Sequence, residues 1–243
     1  MKKFILIGIT LTLVSFVPFT QLKVGKVIRY NEKNNSNELV LVETDSLKRL
    51  VIANYMTSFE RDYEEIYPVG KSTSKKRKKN FIFENASAAV WGYIYNDDVL
   101  PSTKLAQAGV ESSWGRAKGV KYHNYFNVKS SCHRKKKCSH KHKCHKLFDK
   151  VENSWSSYLS FPSKEASFKN HKKVLMKKRY AKVWKTENGI EQLREIRKGG
   201  YATLDYKKFM TMHGRISYEL RNLDKIAIEL KNKLNPSSKK NKI

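Results

Sequence analysis

The sequence predicts a mainly helical domain of the α+β class. In several long stretches the apolar residues recur at three- and four-residue intervals, which is the spacing of one helix face. The strict alternation that is typical of a half-buried strand is not convincing anywhere except around residues 125–150. With 243 residues, of which 40% are hydrophobic and 12% aromatic, the chain is long enough for one sizeable core and a small appendage.

Residues 1–21 are typical of a secretory signal peptide or an N-terminal anchor. Lys2 and Lys3 precede an uncharged apolar stretch that begins at Phe4. This stretch is short for a bilayer span and is interrupted by Pro18, which favours a signal peptide. No small-x-small cleavage site is obvious, so an uncleaved anchor stays open. We therefore expect an exported protein of the periplasm, cell envelope or extracellular space, which touches a membrane only through this segment if it is uncleaved.

Residues 22–79 are predicted to be an N-terminal extension that ends in a basic linker. The polar stretch NEKNNSNE within residues 22–45 is typical of a loop or of disorder. Apolar residues then recur every four positions up to about Tyr67, which predicts a helix with Ser46 as its N-cap. The run GKSTSKKRKKN at 70–80 follows as a linker or exposed loop, and its charge is either solvated chain or a wall-binding site.

Residues 80–234 are denser in apolar residues and are predicted to form the main domain. Ser102 or Thr103 is positioned to cap its second helix. The clearest pattern lies near the C-terminus, where apolar residues alternate four- and three-residue spacings. The polar tail 235–243 is predicted to be disordered. Besides the helix after Thr103, helices are predicted for residues 81–98, 152–161, 163–178, 190–210 and 216–234.

The charge of the chain predicts attraction to polyanions. Fifty Lys and Arg residues stand against 22 Asp and Glu residues, which gives a formal net charge of +28. Export would weaken a nucleic-acid interpretation, so no specific nucleic-acid partner is expected. Anionic envelope polymers are the partners that this basic surface favours.

Glu111 is the candidate catalytic acid. No charged residue lies between Lys104 and Glu111, so the helix that carries them is apolar on nearly all sides and is predicted to be buried. Glu111 falls in its last turn, because Gly115 is a natural stop. Burial, the negative end of the helix dipole and neighbouring Trp114 would all raise the pKa of this carboxyl group. A carboxyl still protonated near neutrality suits a glycosidase acid, and a salt bridge to Arg116 or a nearby lysine is the structural alternative.

Four segments of the chain, in order, resemble the motifs of one enzyme family. AQAGVESSWGRA supplies Gln107, Ala108, Glu111, Ser112, Trp114 and Gly115, and HNYFNVK supplies Asn124, Phe126 and Lys129. FDKVENSW and GYATLDY follow, the latter without the proline of the family pattern. Together they resemble the endo-β-N-acetylglucosaminidases of glycoside hydrolase family 73, which are flagellar-type, autolysin-type and Bax-like peptidoglycan hydrolases. The agreement extends from about residue 80 to residue 232.

The resemblance implies a lysozyme-like helical domain with a cleft and a small β-lobe or loop that carries an insertion. It implies that Glu111 acts as the general acid on the β-1,4 bond between N-acetylglucosamine and N-acetylmuramic acid, without a cofactor. It also implies that Tyr201 lies in the cleft and supports catalysis, although a core aromatic beside a Gly-Gly turn is the structural alternative. The residues that it places on the substrate-binding side are Trp114, Asn124, Phe126, Lys129 and Tyr206. Of these, Asn124 and Phe126 are better suited to shaping the cleft floor than to chemistry.

The chain departs from the family pattern at the second carboxylate. The segment SSCHRKKKCSHKHKCHKLF contains no acid, and the first acidic residues after Glu111 are Asp149 and Glu152. Either could position water, or the acetamido group of the substrate could attack the anomeric carbon. The structural alternatives are that Asp149 ends a strand and that Glu152 caps a helix.

The same insertion contains the cysteines Cys132, Cys138 and Cys144, which are spaced by six and interspersed with histidines. In an exported protein this favours one disulfide and one remaining thiol. A tetrahedral zinc site that uses the three cysteines and a histidine such as His140 is the second hypothesis, and a disordered basic loop is the third.

These observations leave three functions open. The first is an exported peptidoglycan hydrolase. The second is a phage lysin of the same chemistry. The third is a non-catalytic protein that binds the wall or polyanions on a glycosidase scaffold.

Overall fold

A computed structural model describes residues 24–31, 36–96, 98–130, 144–149, 153–202 and 205–234. The predicted signal segment 1–21 and the predicted tail 235–243 lie outside these residues. The mainly helical α+β class is confirmed. The described helices are α1 (Thr44–Ile66), α2 (Thr73–Asn96), α3 (Pro101–Glu111), α4 (Lys164–Leu175), α5 (Gly189–Lys198), α6 (Tyr206–Phe209), α7 (Arg215–Glu219) and α8 (Arg221–Leu234). Two 3₁₀ segments (Lys118–Tyr122 and Lys178–Lys185) and one π turn (Met210–Gly214) join them.

One large core is formed by α1, α2, α3 and α8 together with the shorter helices α5 and α7. Helix α3 lies at its centre, since every residue from Pro101 to Gly109 is buried. The predicted burial of this helix is therefore confirmed. The apolar residues predicted for the C-terminal helix are also buried, although a break at Leu220 divides that helix into α7 and α8. No helix in the described part of the chain combines the length and the apolar character that crossing a bilayer requires.

The described strands form two antiparallel hairpins. The first consists of β1 (Val24–Asn31) and β2 (Ser36–Glu43), with Val24 opposite Glu43. The expectation that the polar stretch NEKNNSNE is a loop or disordered is wrong at its two ends, because Asn31 belongs to β1 and residues 36–38 belong to β2. On either side of it lie two runs rich in valine, isoleucine and leucine, and these runs pair with each other.

The second hairpin lies within the region that the resemblance assigns to a small β-lobe. It consists of β3 (Cys144–Asp149) and β4 (Ser154–Leu159), with Phe148 opposite Trp155. The helix predicted for 152–161 is therefore wrong. Ser156 and Tyr158 are buried while Trp155 is exposed, which is the period-two pattern of a strand.

The basic linker predicted for 70–80 is also wrong in structure, because α2 begins at Thr73 and continues unbroken through Phe81. Lysine and arginine are good helix formers, and two of these lysines form ion pairs with other helices, Lys78 with Glu219 and Lys79 with Glu64. The predicted boundary at residue 80 therefore falls inside a helix. Residues of α1 pack into the same core as α2 and α8, so this part of the predicted extension is integral to the helical body.

Helix caps differ from the predicted ones. Helix α1 begins at Thr44, before Ser46. Helix α3 begins at Pro101, and neither Ser102 nor Thr103 is its N-cap. Instead, two side chains from distant segments accept its first N–H groups. Gln192 Oε1 accepts from Leu100 N at 3.0 Å, and Asp224 Oδ1 accepts from Ser102 N at 2.8 Å.

Candidate active site

Glu111 is the last residue of α3, and the chain turns sharply away directly after it. Ser113, Trp114 and Gly115 have φ values of 53°, 56° and 82°, so three successive residues are left-handed. Backbone hydrogen bonds close this turn, with Trp114 N donating to Gly109 O at 2.7 Å. The turn leaves the Glu111 carboxyl group at the C-terminal end of a buried helix.

Trp114 folds back over the helix that it follows. An added Cβ on Gly109 would lie 2.3 Å from the indole ring, so only glycine permits this contact. The indole also meets Phe81 edge to face, with 5.7 Å between ring centroids. These contacts fix the position of Trp114 in the turn that directly follows Glu111.

The Glu111 carboxyl group has a raised pKa. Burial raises its pKa to about 7, and a hydrogen bond with the side chain of Asn127 opposes this shift. The salt bridge to Arg116, which the sequence leaves open as an alternative, does not contribute to this pKa within the described structure. At neutral pH a substantial fraction of this carboxyl group therefore carries a proton.

Asn127 is a site residue that sequence reasoning missed. It is exposed, it has a left-handed φ of 52°, and its side chain bonds the Glu111 carboxyl group. In the sequence it resembles an ordinary turn residue between Phe126 and Val128, since asparagine tolerates this backbone region. Only its juxtaposition with Glu111 in the fold identifies it.

The loop that carries Asn127 is held by Asn124. Asn124 Oδ1 accepts from Val128 N at 2.9 Å, while its Nδ2 donates to Val128 O at 3.1 Å and to Leu159 O at 2.9 Å. These bonds tie the loop to the end of β4. Asn124 is only 1% exposed, so it supports the site from below and has almost no surface for a ligand.

Phe126 and Lys129 occupy different environments. Phe126 is buried and stacks on His171, with 4.0 Å between centroids. Like Asn124, it therefore has a supporting position. Lys129 is exposed, and its backbone bridges to Tyr158 of β4. Of the residues predicted to bind substrate, Trp114, Lys129 and Tyr206 retain accessible surface; Tyr206 is the first residue of α6 and is 44% exposed.

Tyr201 is close enough to Glu111 for the two groups to interact electrostatically. It follows a turn in which Gly200 has a φ of 77°, and its backbone N–H donates to Ile196 O at 3.3 Å. Burial holds the pKa of Tyr201 well above its ordinary value, and the Glu111 charge raises it further. The phenol therefore keeps its proton and can act as a hydrogen-bond donor beside Glu111.

A buried polar cluster lies behind Tyr201. The tyrosine ring meets His171 edge to face at 5.6 Å between centroids. Lys104 Nζ lies 3.0 Å from His171 Nδ1 and 2.7 Å from Asp98 Oδ2. Burial lowers the pKa of Lys104 and places that of His171 well below its ordinary value, so the imidazole is neutral. No single motif in the sequence marks these three residues as a cluster.

The candidates for the second carboxylate stay predictions. Asp149 is the last residue of β3, where its backbone pairs with Ser154, and Glu152 lies outside the described residues.

The hypotheses for the Cys/His insertion also stay predictions. Cys132, Cys138 and His140 lie outside the described residues, while Cys144 begins β3 and its Sγ donates to Ser130 Oγ at 3.1 Å. Within the part of the chain that the structure describes, no group of three metal-ligating side chains comes together. The disulfide, zinc and loop hypotheses thus stay open.

The family model Glucosaminidase, described as mannosyl-glycoprotein endo-beta-N-acetylglucosaminidase, matches residues 70–213, which is more than half of the chain. This range contains Glu111, Asn127 and Tyr201. No curated protein matches the chain.

Seven solved chains are similar to this one, among them structures of three different proteins. The catalytic domain of the autolysin Auto from Listeria monocytogenes has 20% identity and a TM-score of 0.46, with 69% of this chain and 96% of that one covered. The glycoside hydrolase domain of FlgJ from Salmonella typhimurium has 17% identity and a TM-score of 0.44, with 67% and 98% covered. A peptidoglycan hydrolase from Sphingomonas sp. A1 has 20% identity and a TM-score of 0.43, with 63% and 94% covered.

Proposed function

This chain belongs to the Glucosaminidase family and is a glycoside hydrolase, and we propose that it hydrolyses peptidoglycan at the β-1,4 bond between N-acetylglucosamine and N-acetylmuramic acid. In this reaction Glu111 is the general acid. The family membership supports the glucosaminidase chemistry. The four motifs in their order support peptidoglycan as the substrate, and the formal net charge of +28 suits an anionic wall.

The observation that carries the proposal is the Glu111 carboxyl group at the end of a buried helix, with its pKa raised to about 7. A general acid works best when its pKa lies near the operating pH, because it must hold a proton and still release it. The proton goes to the glycosidic oxygen as the bond to the anomeric carbon breaks. The resulting carboxylate then accepts the hydrogen bond from Asn127 that favours its charged form.

Tyr201 supports this step as a neutral hydroxyl group beside Glu111. Because its pKa lies well above the ordinary value, the hydroxyl group keeps its proton, remains able to donate a hydrogen bond and adds no negative charge near the acid. The nucleophile that attacks the anomeric carbon is either a water positioned by Asp149 or Glu152, or the acetamido group of the substrate. All three routes are compatible with the same general acid.

The test is product analysis on purified peptidoglycan. The wild-type chain should release fragments with N-acetylglucosamine at the reducing end, which mass spectrometry after borohydride reduction identifies. Glu111→Gln should release none above background, whereas Glu65→Gln, a matched change at an exposed position on α1, should behave as wild type. Reducing ends of N-acetylmuramic acid, or anhydro products, would overturn the proposed bond. Equal binding without cleavage by wild type and Glu111→Gln would instead indicate a non-catalytic wall-binding protein.

We also propose that the protein acts outside the cytoplasm and is held near the wall by its basic surface. Residues 1–21 and the charge balance support this. Cell fractionation of the full-length chain and of a chain without residues 1–21 tests the export, because only the former should reach the envelope or medium. Retention on isolated walls that falls steeply as NaCl rises to about 1 M would support electrostatic binding.

A further inference from the structure

A second feature beside the Glu111 turn has the properties of a ligand site. A cavity of about 440 Å³ lies against the first half of α2 and the start of α4, and its wall includes Trp114 and Gly115. Because these two residues belong to the turn directly after Glu111, the cavity borders the candidate active site. Its volume is within the range of cavities that hold small ligands.

Asn85 is a buried residue of the cavity wall that has an unused hydrogen-bond acceptor. Its side chain is 98% buried and lines the cavity, and its Nδ2 donates to Phe81 O at 2.6 Å. Its Oδ1 has no hydrogen-bond partner among the described residues. A buried acceptor without a partner is unfavourable, so a ligand that supplies an N–H group to it would be favoured.

The rim of the cavity is positively charged. Lys76 is exposed on α2, Arg77 beside it is half-buried, and Lys164 is the first residue of α4. Lys164 Nζ donates to the backbone oxygen of Glu84 at 3.0 Å, which holds its cation at the rim. Glu84 is the acidic residue among the lining side chains, so cations outnumber carboxylates three to one there. The cavity therefore suits a ligand that combines amide N–H groups with negative charge.

We propose that this cavity binds the carboxylate-bearing peptide stem of peptidoglycan and makes the enzyme prefer strands that still carry their peptides. This inference rests on the proposed function, since the peptide must belong to the glycan that Glu111 cleaves. A stem peptide offers amide N–H groups to Asn85 and carboxylates to Lys76 and Arg77. A phosphate-rich wall polymer would meet the same cations, but it has no amide N–H group for Asn85 and would face Glu84.

The experiment compares two substrates prepared from the same sacculi: glycan strands with their peptides, and strands whose peptides an amidase has removed at the lactyl amide. For the wild-type chain we expect kcat/KM to be about tenfold higher on peptide-bearing strands, the effect of about one charge-assisted hydrogen bond. In the double variant Lys76→Ala/Arg77→Ala this ratio should fall to about one. The matched control Lys169→Ala/Lys173→Ala removes two exposed cations from α4 that do not line the cavity, and should keep the wild-type ratio.

Two outcomes overturn this inference and leave the proposed function intact. The first is Glu111-dependent cleavage of both substrates by wild type at equal efficiency. The second is a preference for peptide-bearing strands that Lys76→Ala/Arg77→Ala retains or that the α4 control loses to the same extent. Failure of wild type to cleave either substrate contradicts the proposed function itself, and the peptide site falls with it. None of the four altered side chains is buried, so both double variants should fold, and circular dichroism of each checks this.

Discussion

A buried carboxyl group lies at each end of α3, and the two differ in the role that we assign to them, one structural and the other the proposed general acid. At the N-terminal end, Asp224 of α8 accepts from Ser102 N at 2.8 Å and from Ser102 Oγ at 2.6 Å. At the C-terminal end, Glu111 is met by Asn127. Burial raises the pKa of both groups to about 7. The pKa alone therefore does not identify the catalytic acid.

The two carboxyl groups differ in how accessible they are to a substrate. Asp224 is 8% exposed, and Ser102 Oγ also contacts Ser217 Oγ at 2.9 Å. An added Cβ on Gly189 would come within 2.2 Å of Ser102 Oγ and 3.2 Å of Asp224 Oδ2, so no space remains beside this carboxyl group. Glu111 is partly exposed, and Ser113 and Gly115 in the turn that follows it are exposed. A proton donor needs a substrate within reach, and only the C-terminal end of α3 provides that.

The largest expected effect contrasts the two carboxyl groups in activity. Glu111→Gln should lower kcat on peptidoglycan by about 10²–10⁴-fold, because the amide cannot donate the proton that the leaving oxygen needs. Asp224→Asn should retain kcat within about twofold per folded molecule, because its carboxyl group does not touch substrate. Turbidity clearing, normalised to the folded fraction by circular dichroism, measures both. Comparable losses of kcat in the two variants would break the distinction.

The second effect contrasts them in stability. Asp224→Ala should lower the free energy of unfolding by about 2–4 kcal/mol, because it removes a helix cap, leaves Ser102 N–H without its acceptor in the core and removes one of the two partners of Ser102 Oγ. Urea unfolding followed by far-UV circular dichroism gives this value. Asp62→Ala on the surface of α1 should change it by no more than about 0.5 kcal/mol. A loss from Asp224→Ala no larger than that of Asp62→Ala would show that this network contributes little.

The same comparison shows which parts of the site the sequence could reveal. The uncharged run before Glu111 and the stop at Gly115 predicted α3 and its acid, because both are local signals. The N-terminal cap of α3 was not predictable, since Gln192 and Asp224 lie 92 and 122 residues away from the N–H groups they satisfy. Local preference at Ser102 and Thr103 was overridden by these tertiary bonds.

A similar limit applies to β4 and to Asn127. The segment SWSSYL has aromatic residues suited to a strand, but only its pairing with Cys144–Asp149 decides its conformation. Asn127 acts through a contact with Glu111 that exists only after the two loops meet. The basic run 73–80 is helical because α2 continues into it, although its composition is typical of solvated chain. Long-range contacts, which a single sequence does not display, explain each of these differences.

The third effect is the pH dependence of the free energy of unfolding. Its direction follows from the raised pKa of Glu111. Burial raises the pKa of Glu111 in the folded state to about 7 from an ordinary 4.5, so the folded state holds this proton more tightly than the unfolded state. The stabilisation of the folded state by this tightly held proton is fully present below about pH 4.5 and is lost as pH rises through 7. Relative to wild type, Glu111→Gln should therefore gain about 1–3 kcal/mol in unfolding free energy between pH 4.5 and pH 8.

Urea unfolding of both chains at several pH values measures this difference. Glu65→Gln, at an exposed position, should show a constant offset from wild type across the range. The activity of the wild-type chain should fall above about pH 7, because the general acid then loses its proton. A difference between wild type and Glu111→Gln that is independent of pH would mean that Glu111 titrates as an exposed glutamate.

The smallest expected effect concerns Tyr201, whose hydroxyl group interacts electrostatically with Glu111, whereas Asp224 has the hydroxyl group of Ser102 as its neighbour. Tyr201→Phe should lower kcat by about 10-fold to 100-fold with little change in KM, because the hydroxyl dipole near Glu111 favours the negative charge that develops on it. Tyr180→Phe is the matched control, since this neighbouring ring lies 6.5 Å from that of Tyr201 and is only 1% exposed. The alkaline limb of the pH profile should also shift upward in Tyr201→Phe if the hydroxyl group stabilises the Glu111 carboxylate. Equal kinetic effects of the two substitutions, with no shift of that limb, would assign Tyr201 to packing and leave Asn127 as the polar neighbour that acts on the acid.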